Sequence, residues 1–136
     1  MQNQTKSWTR DEFKMALLLA GGFRTGSRAF RCETADSDED IVVTIKQLSD
    51  AVGAGTVRVD GVVVELPDPL SYRGSIKVGL GPVMNVVVVA DDNEYRAWKF
   101  ATESLMFSTL DLNLRDRKRR VEAFKLLQIA YRILNL

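Results

Sequence analysis

The 136-residue sequence predicts one α+β domain over residues 8–136, with an antiparallel sheet packed by helices. Three observations lead there. Apolar residues recur at helical spacing after recognisable N-caps near both ends of the chain. The middle holds alternating or valine-rich runs separated by turn residues. No internal repeat or low-complexity segment divides the chain. The 46% hydrophobic and 27% charged content is that of a globular chain rather than a disordered one. Residues 1–7 read as a loose polar tail.

The first helix starts at Thr9-Arg10-Asp11-Glu12, a capping box, with Trp8 and Phe13 at staple spacing. Phe13, Ala16, Leu17 and Ala20 form its buried stripe, and Leu18 and Leu19 widen it enough to predict cover on more than one side. Gly21 or Gly22 ends it. Residues 28–34 alternate and predict a strand that includes Cys32, a small buried hydrophobe. The acidic stretch 36–40 predicts the start of a second helix, capped by Ser37, with Ile41, Ile45, Leu48 and Val52 inward and residues 53–55 as its stop. Residues 56–60 and 62–66 predict a hairpin around Asp60-Gly61. Pro67-Asp68-Pro69 breaks the strand, and residues 71–74 are loop. Strands follow at 75–80 and 84–90 around Gly81-Pro82, the valines 86–89 buried on both faces. Residues 91–94 cap a third helix with Tyr95, Trp98, Thr102, Leu105 and Met106 inward. After a break near Leu112-Asn113, a last helix directs Val121, Phe124, Leu127, Tyr131 and Leu134 to the core.

Several chemistries are excluded by composition. There is no histidine, which removes the commonest general base, the Ser-His and Cys-His pairs and the usual zinc sets. One cysteine allows no intrachain disulfide. Chemistry must then run on carboxylates, lysine, tyrosine or a carboxylate-held magnesium ion. A net charge of +1 excludes attachment to nucleic acid by bulk charge, though not by a local patch. The polar start lacks a signal-peptide pattern and the run 15–20 is too short to span a bilayer, so the expectation is a cytoplasmic protein with no membrane contact.

The stretch 19–27, LAGGFRTGS, reads either as a helix end with a tight turn or as a degraded catalytic motif. It resembles the LAGLIDADG signature of a homing endonuclease family, in a degenerate single-motif form. The segments TADSDEDIVV (34–43), LSDAVGAGTVRV (48–59) and 86–123 follow in an order similar to that family's. The resemblance covers most of residues 8–134 and implies a single LAGLIDADG-like domain over residues 8–136 and a homodimer formed by close packing of the motif helix, through Phe13, Ala16, Leu17, Ala20 and Gly21. It also implies a metal-binding acid at the helix end, where the cation would activate water. Thr25 stands there instead, and no Asp or Glu occurs between Glu12 and Glu33. The chain departs again in its first hairpin, which is shortened or absent. The resemblance therefore implies an inactive nuclease-like scaffold with no metal, no cofactor and no catalytic residue.

Candidate phosphate contacts are Arg28, Arg31, Arg58, Lys77, Arg115, Arg117, Lys118 and Arg119. The dense run 115–120 reads equally as a solvated helix face with Asp116 pairing to Arg119 or Arg120. Arg28 and Arg31 fall on opposite strand faces, so the set does not share one surface. The acidic residues 36–40 lack a calcium-loop pattern and are accounted for by helix capping, as are Asp91, Asp92 and Glu94. Three functions stand: a dimeric nucleic-acid-binding or regulatory protein on duplex DNA, a small phage-type inhibitor or adaptor that binds another protein, and an enzyme with a carboxylate site at Asp91 or Asp92.

Overall fold

The computed structural model describes residues 6–35, 37–67, 74–79, 83–108 and 112–135. The expected tail residues 1–5, the Asp36 position, the Asp68-Pro69 break, the loop residues 71–73 and the Gly81-Pro82 turn lie outside them. Strand β1 (Lys6–Trp8) comes first, so Lys6 and Ser7 belong to the sheet rather than to a loose tail. Helix α1 (Arg10–Leu19) follows with the expected capping box, the Thr9 hydroxyl accepting from the Glu12 amide and the Glu12 carboxylate from the Thr9 amide. Trp8 meets Phe13 edge to face at 6.2 Å, closing the staple.

Strand β2 (Phe23–Thr25) and the one-turn helix α2 (Gly26–Ala29) occupy the junction. The predicted strand over 28–34 is absent, and Cys32 sits half-buried in irregular chain. Strand β3 (Glu39–Thr44) replaces the start of the predicted second helix. That helix, α3 (Ile45–Val52), begins later, on a second capping box made by Thr44 and Gln47 rather than on Ser37. The β-branched run Ile41-Val42-Val43 is fully buried, which favours extended chain over helix. Strands β4 (Thr56–Val59) and β5 (Val62–Glu65) make the predicted hairpin, and β6 (Gly74–Val78) and β7 (Met84–Val89) the second strand pair. Helices α4 (Asp92–Met106) and α5 (Arg117–Leu134) close the chain, capped by Asp91 and Asp116.

The α+β class holds, but the sheets are mixed rather than antiparallel. One has the order β1-β4-β5 and the other β2-β3-β7-β6. β1 runs parallel to β4, and β3 parallel to β7. Phe13 and Leu17 of α1, Leu48 and Val52 of α3, and the inward valines of both sheets form one core. Among the described residues, no helix is long and apolar enough to cross a membrane.

Three helices differ from expectation. Leu19 is 81% exposed, so α1 is not covered on both sides. In α4 the buried residues are Ala97, Ala101, Thr102 and Leu105, while Met106 is exposed. No described residue of α5 is fully buried, and Val121 and Leu134 face outward. α5 is held by aromatic contacts instead: Phe124 with Trp98 at 4.8 Å and with Phe30 at 6.5 Å, and Tyr131 with Phe100 at 5.4 Å.

Candidate functional site: a cleft between the acidic end of β3 and the basic face of α5

Extended chain at the start of β3 sorts three consecutive acids by side. Successive side chains point to opposite faces, so Asp38 and Asp40 share one and Glu39 takes the other. Glu39 meets Lys14 at 3.1 Å, Arg10 at 3.6 Å and Arg24 at 3.8 Å, and its charge is spent there. Asp38 and Asp40 instead line a cleft of about 640 Å³. That is within the usual range for small-molecule sites.

The cleft has three kinds of wall. One is the turn from β2 into α2, where Thr25, Gly26 and Ser27 line it. Gly26 has φ +74°, and a Cβ there would collide with the Asp40 carboxylate. Glycine is required by both backbone and space. A second wall is aromatic, from Phe30, Trp98 and Phe124. The third is the polar edge of α5: Arg117, Arg120, Lys125 and Gln128.

Asp40 is the distinctive group. Burial raises its carboxyl above the ordinary value of 3.8, and the negative charge of Asp38 adds to the rise. A hydrogen bond from Asn85 Nδ2 to Asp40 Oδ1, at 3.2 Å, and the positive charge of Arg120 oppose it. Asn85 Oδ1 is buried without a hydrogen-bond partner among the described residues. Arg120 donates to the Leu114 carbonyl at 2.9 Å and contacts Cys32 Sγ at 3.4 Å, so its guanidinium is fixed beside the cleft.

No family model, curated protein or solved structure matches the chain. The LAGLIDADG resemblance thus rests on the residues quoted for it. At its key position, Thr25 is 3% exposed and its Oγ1 lies 2.8 Å from Thr102 Oγ1. Of the five residues assigned to a helix-packed dimer, Phe13 and Leu17 are wholly inside the chain's own core. Ala16, Ala20 and Gly21 are half-buried, and the exposed apolar residues of α1 are Met15 and Leu19.

The basic candidates are divided. Arg117 lines the main cleft, and Arg31 and Arg115 share a shallow depression with Cys32. Arg28 donates to the Ser37 carbonyl at 2.9 Å. Arg58 lies on β4 in the three-stranded sheet and Lys77 on β6 in the four-stranded one. Lys118 and Arg119 are exposed on α5, and the Asp116 carboxylate accepts from the Arg119 amide as an N-cap.

Asp91 accepts from the Glu94 amide and Glu94 from the Ala90 amide, so both act as caps of α4. Among the described residues, no three His, Cys, Asp or Glu side chains converge as a metal-ligand set. A cation held by Asp38 and Asp40 would therefore need oxygens from its ligand, the usual situation for magnesium on phosphates. Sequence reasoning missed Asp40, Asn85, Arg120 and Lys125 as one site. The available signal was Asp38-x-Asp40 leading into a β-branched run, ten residues beyond Gly26-Ser27 and Arg28.

Proposed function

We propose that the cleft binds a magnesium-complexed nucleoside triphosphate and transfers its nucleotidyl group to an acceptor hydroxyl. The carrying observation is the pairing of a desolvated carboxylate, Asp40 with Asp38 beside it, against Arg117, Arg120 and Lys125 across one cleft. Carboxylates hold the cation, and the cation and basic side chains neutralise the phosphates. Trp98, Phe30 and Phe124 supply apolar faces for a base. On this reading the base stacks on these faces and the α-phosphate, the one next to the sugar, lies at the acids. In the transfer, the acceptor oxygen bonds to the α-phosphorus and the α–β phosphoanhydride bond breaks. Pyrophosphate leaves and the hydroxyl proton passes to solvent.

The test is incubation with Mg²⁺ and ATP labelled at either the α- or the γ-phosphate. Label retained on an acceptor, or on the protein, from the α-position with release of pyrophosphate supports the reading. Transfer of the γ-label makes the reaction phosphoryl transfer instead. Absence of magnesium-dependent ATP binding by calorimetry overturns the reading altogether.

A second reading keeps the nuclease-like scaffold: a non-cleaving protein that binds duplex DNA, as a homodimer. Its support is the shared depression of Arg31 and Arg115. The dimer surface on α1 would then be Met15 and Leu19 rather than Phe13 and Leu17. A salt-sensitive gel shift of duplex DNA, unaffected by Asp40→Asn, favours this reading over the first.

A further inference from the structure

Asn85 carries more than the hydrogen bond to Asp40 requires. The two residues are register partners across the parallel β3–β7 pair. An ionised carboxylate only accepts hydrogen bonds, so the Asn85 nitrogen must be the atom turned to Asp40. Its carbonyl oxygen is buried and unpartnered among the described residues, on a side chain that lines the cleft. Proteins seldom leave a buried polar atom without a partner, and beside a binding cleft the partner is a water, an ion or a ligand. An aliphatic residue would serve the strand better, and the neighbouring positions 86–89 are all valine.

A side-chain carbonyl is a good oxygen ligand for a hard divalent cation. Asp38 and Asp40 together carry the charge that balances one such ion. Asn85 adds an oxygen without adding charge. The lining offers no third carboxylate to hold a second divalent ion, and Arg117, Arg120 and Lys125 already bring positive charge to face the phosphates.

We infer that Asn85 supplies the third protein oxygen of the cation site, and that its neutrality limits the site to one divalent cation. The basic side chains of α5 then serve the phosphates in place of a second ion. The inference rests on the nucleotide reading above and makes Asn85 the residue that sets cation number.

The experiment uses Mn²⁺ with ATP as the probe, counted by electron paramagnetic resonance on the full chain. Wild type should take up one Mn²⁺. Asn85→Leu should bind it at least about tenfold more weakly, the usual scale for losing a supporting oxygen at a metal site. Its unfolding midpoint in urea should fall modestly at neutral pH, because leucine removes the Nδ2 donor to the Asp40 carboxylate along with the unpaired carbonyl. Asn85→Asp should take up a second Mn²⁺. Wild-type affinity in the leucine variant, two ions in wild type, or a single ion in the aspartate variant overturns the inference while the nucleotide reading stands. Should the leucine variant unfold, the ion count of Asn85→Asp decides alone. If wild type takes up neither Mn²⁺ nor ATP, the nucleotide reading fails, and this inference fails with it.

Discussion

Thr25 illustrates how a residue's meaning changes when its partner is known. Beside Gly26, it is the position at which the LAGLIDADG resemblance would put a metal-binding acid. In the fold its hydroxyl is buried and pairs with that of Thr102, a residue 77 positions away, tying the end of β2 to α4. Replacing Thr25 by valine keeps the shape and orphans the Thr102 hydroxyl. The expected loss is about 1–3 kcal/mol of unfolding free energy, the scale for stranding a buried polar group. Replacing both threonines by valine should recover most of that loss. A double-mutant cycle in urea measures the coupling directly. A purely catalytic threonine would leave stability unmoved in all three variants.

At the scale of elements, capping chemistry accounts for much of what was legible. Thr9 with Glu12, Asp91, and the Asp60-Gly61 turn each act within four residues, so local sequence was enough. The segment 36–44 was misread because acids ahead of an apolar run suit a helix start equally well. Only burial on both faces of the sheet makes Ile41-Val42-Val43 a strand, and burial is a tertiary property. With that strand went the site, since Asp38 and Asp40 share a face only in extended chain. The α1 cap gives a pH test. Hydrogen bonds from the Thr9 amide and then the Thr9 hydroxyl hold the Glu12 carboxyl below its ordinary 4.5. A depressed folded value means this contribution is present above about pH 4.5 and is lost as pH falls through the lower folded value. Urea midpoints of wild type and Glu12→Gln, compared from about pH 6 to about pH 3, should therefore converge as acid is added, because glutamine bonds the cap without titrating.

For the whole molecule, the cleft sets stability against binding. Asp40 has the opposite sign to Glu12. Its folded value is raised, so the ionised form works against folding at neutral pH, and that penalty is relieved as pH falls through the raised value. Asp40→Asn should then leave the free protein as stable as wild type or more so. Magnesium and ATP should stabilise wild type in thermal unfolding, by about 2.7 kcal/mol at a hundredfold excess over the dissociation constant. The asparagine variant should lose that ligand-dependent shift. An unliganded Asp40→Asn protein that unfolds earlier than wild type would mean that the carboxylate is a structural support instead.

The helix that brings positive charge to this cleft has no fully buried residue among those described. α5 packs along α4, with Phe124 against Trp98 and Tyr131 against Phe100, and leaves Leu126, Ile129 and Ile133 to solvent. With no described residue fully buried, that wall belongs among the parts of a fold that open below the global unfolding limit. An anionic occupant bridging β3 and α5 would supply the missing cohesion. Occupancy of the cleft and closure of the last helix are then one equilibrium, in which the occupant acts as a late-arriving piece of core.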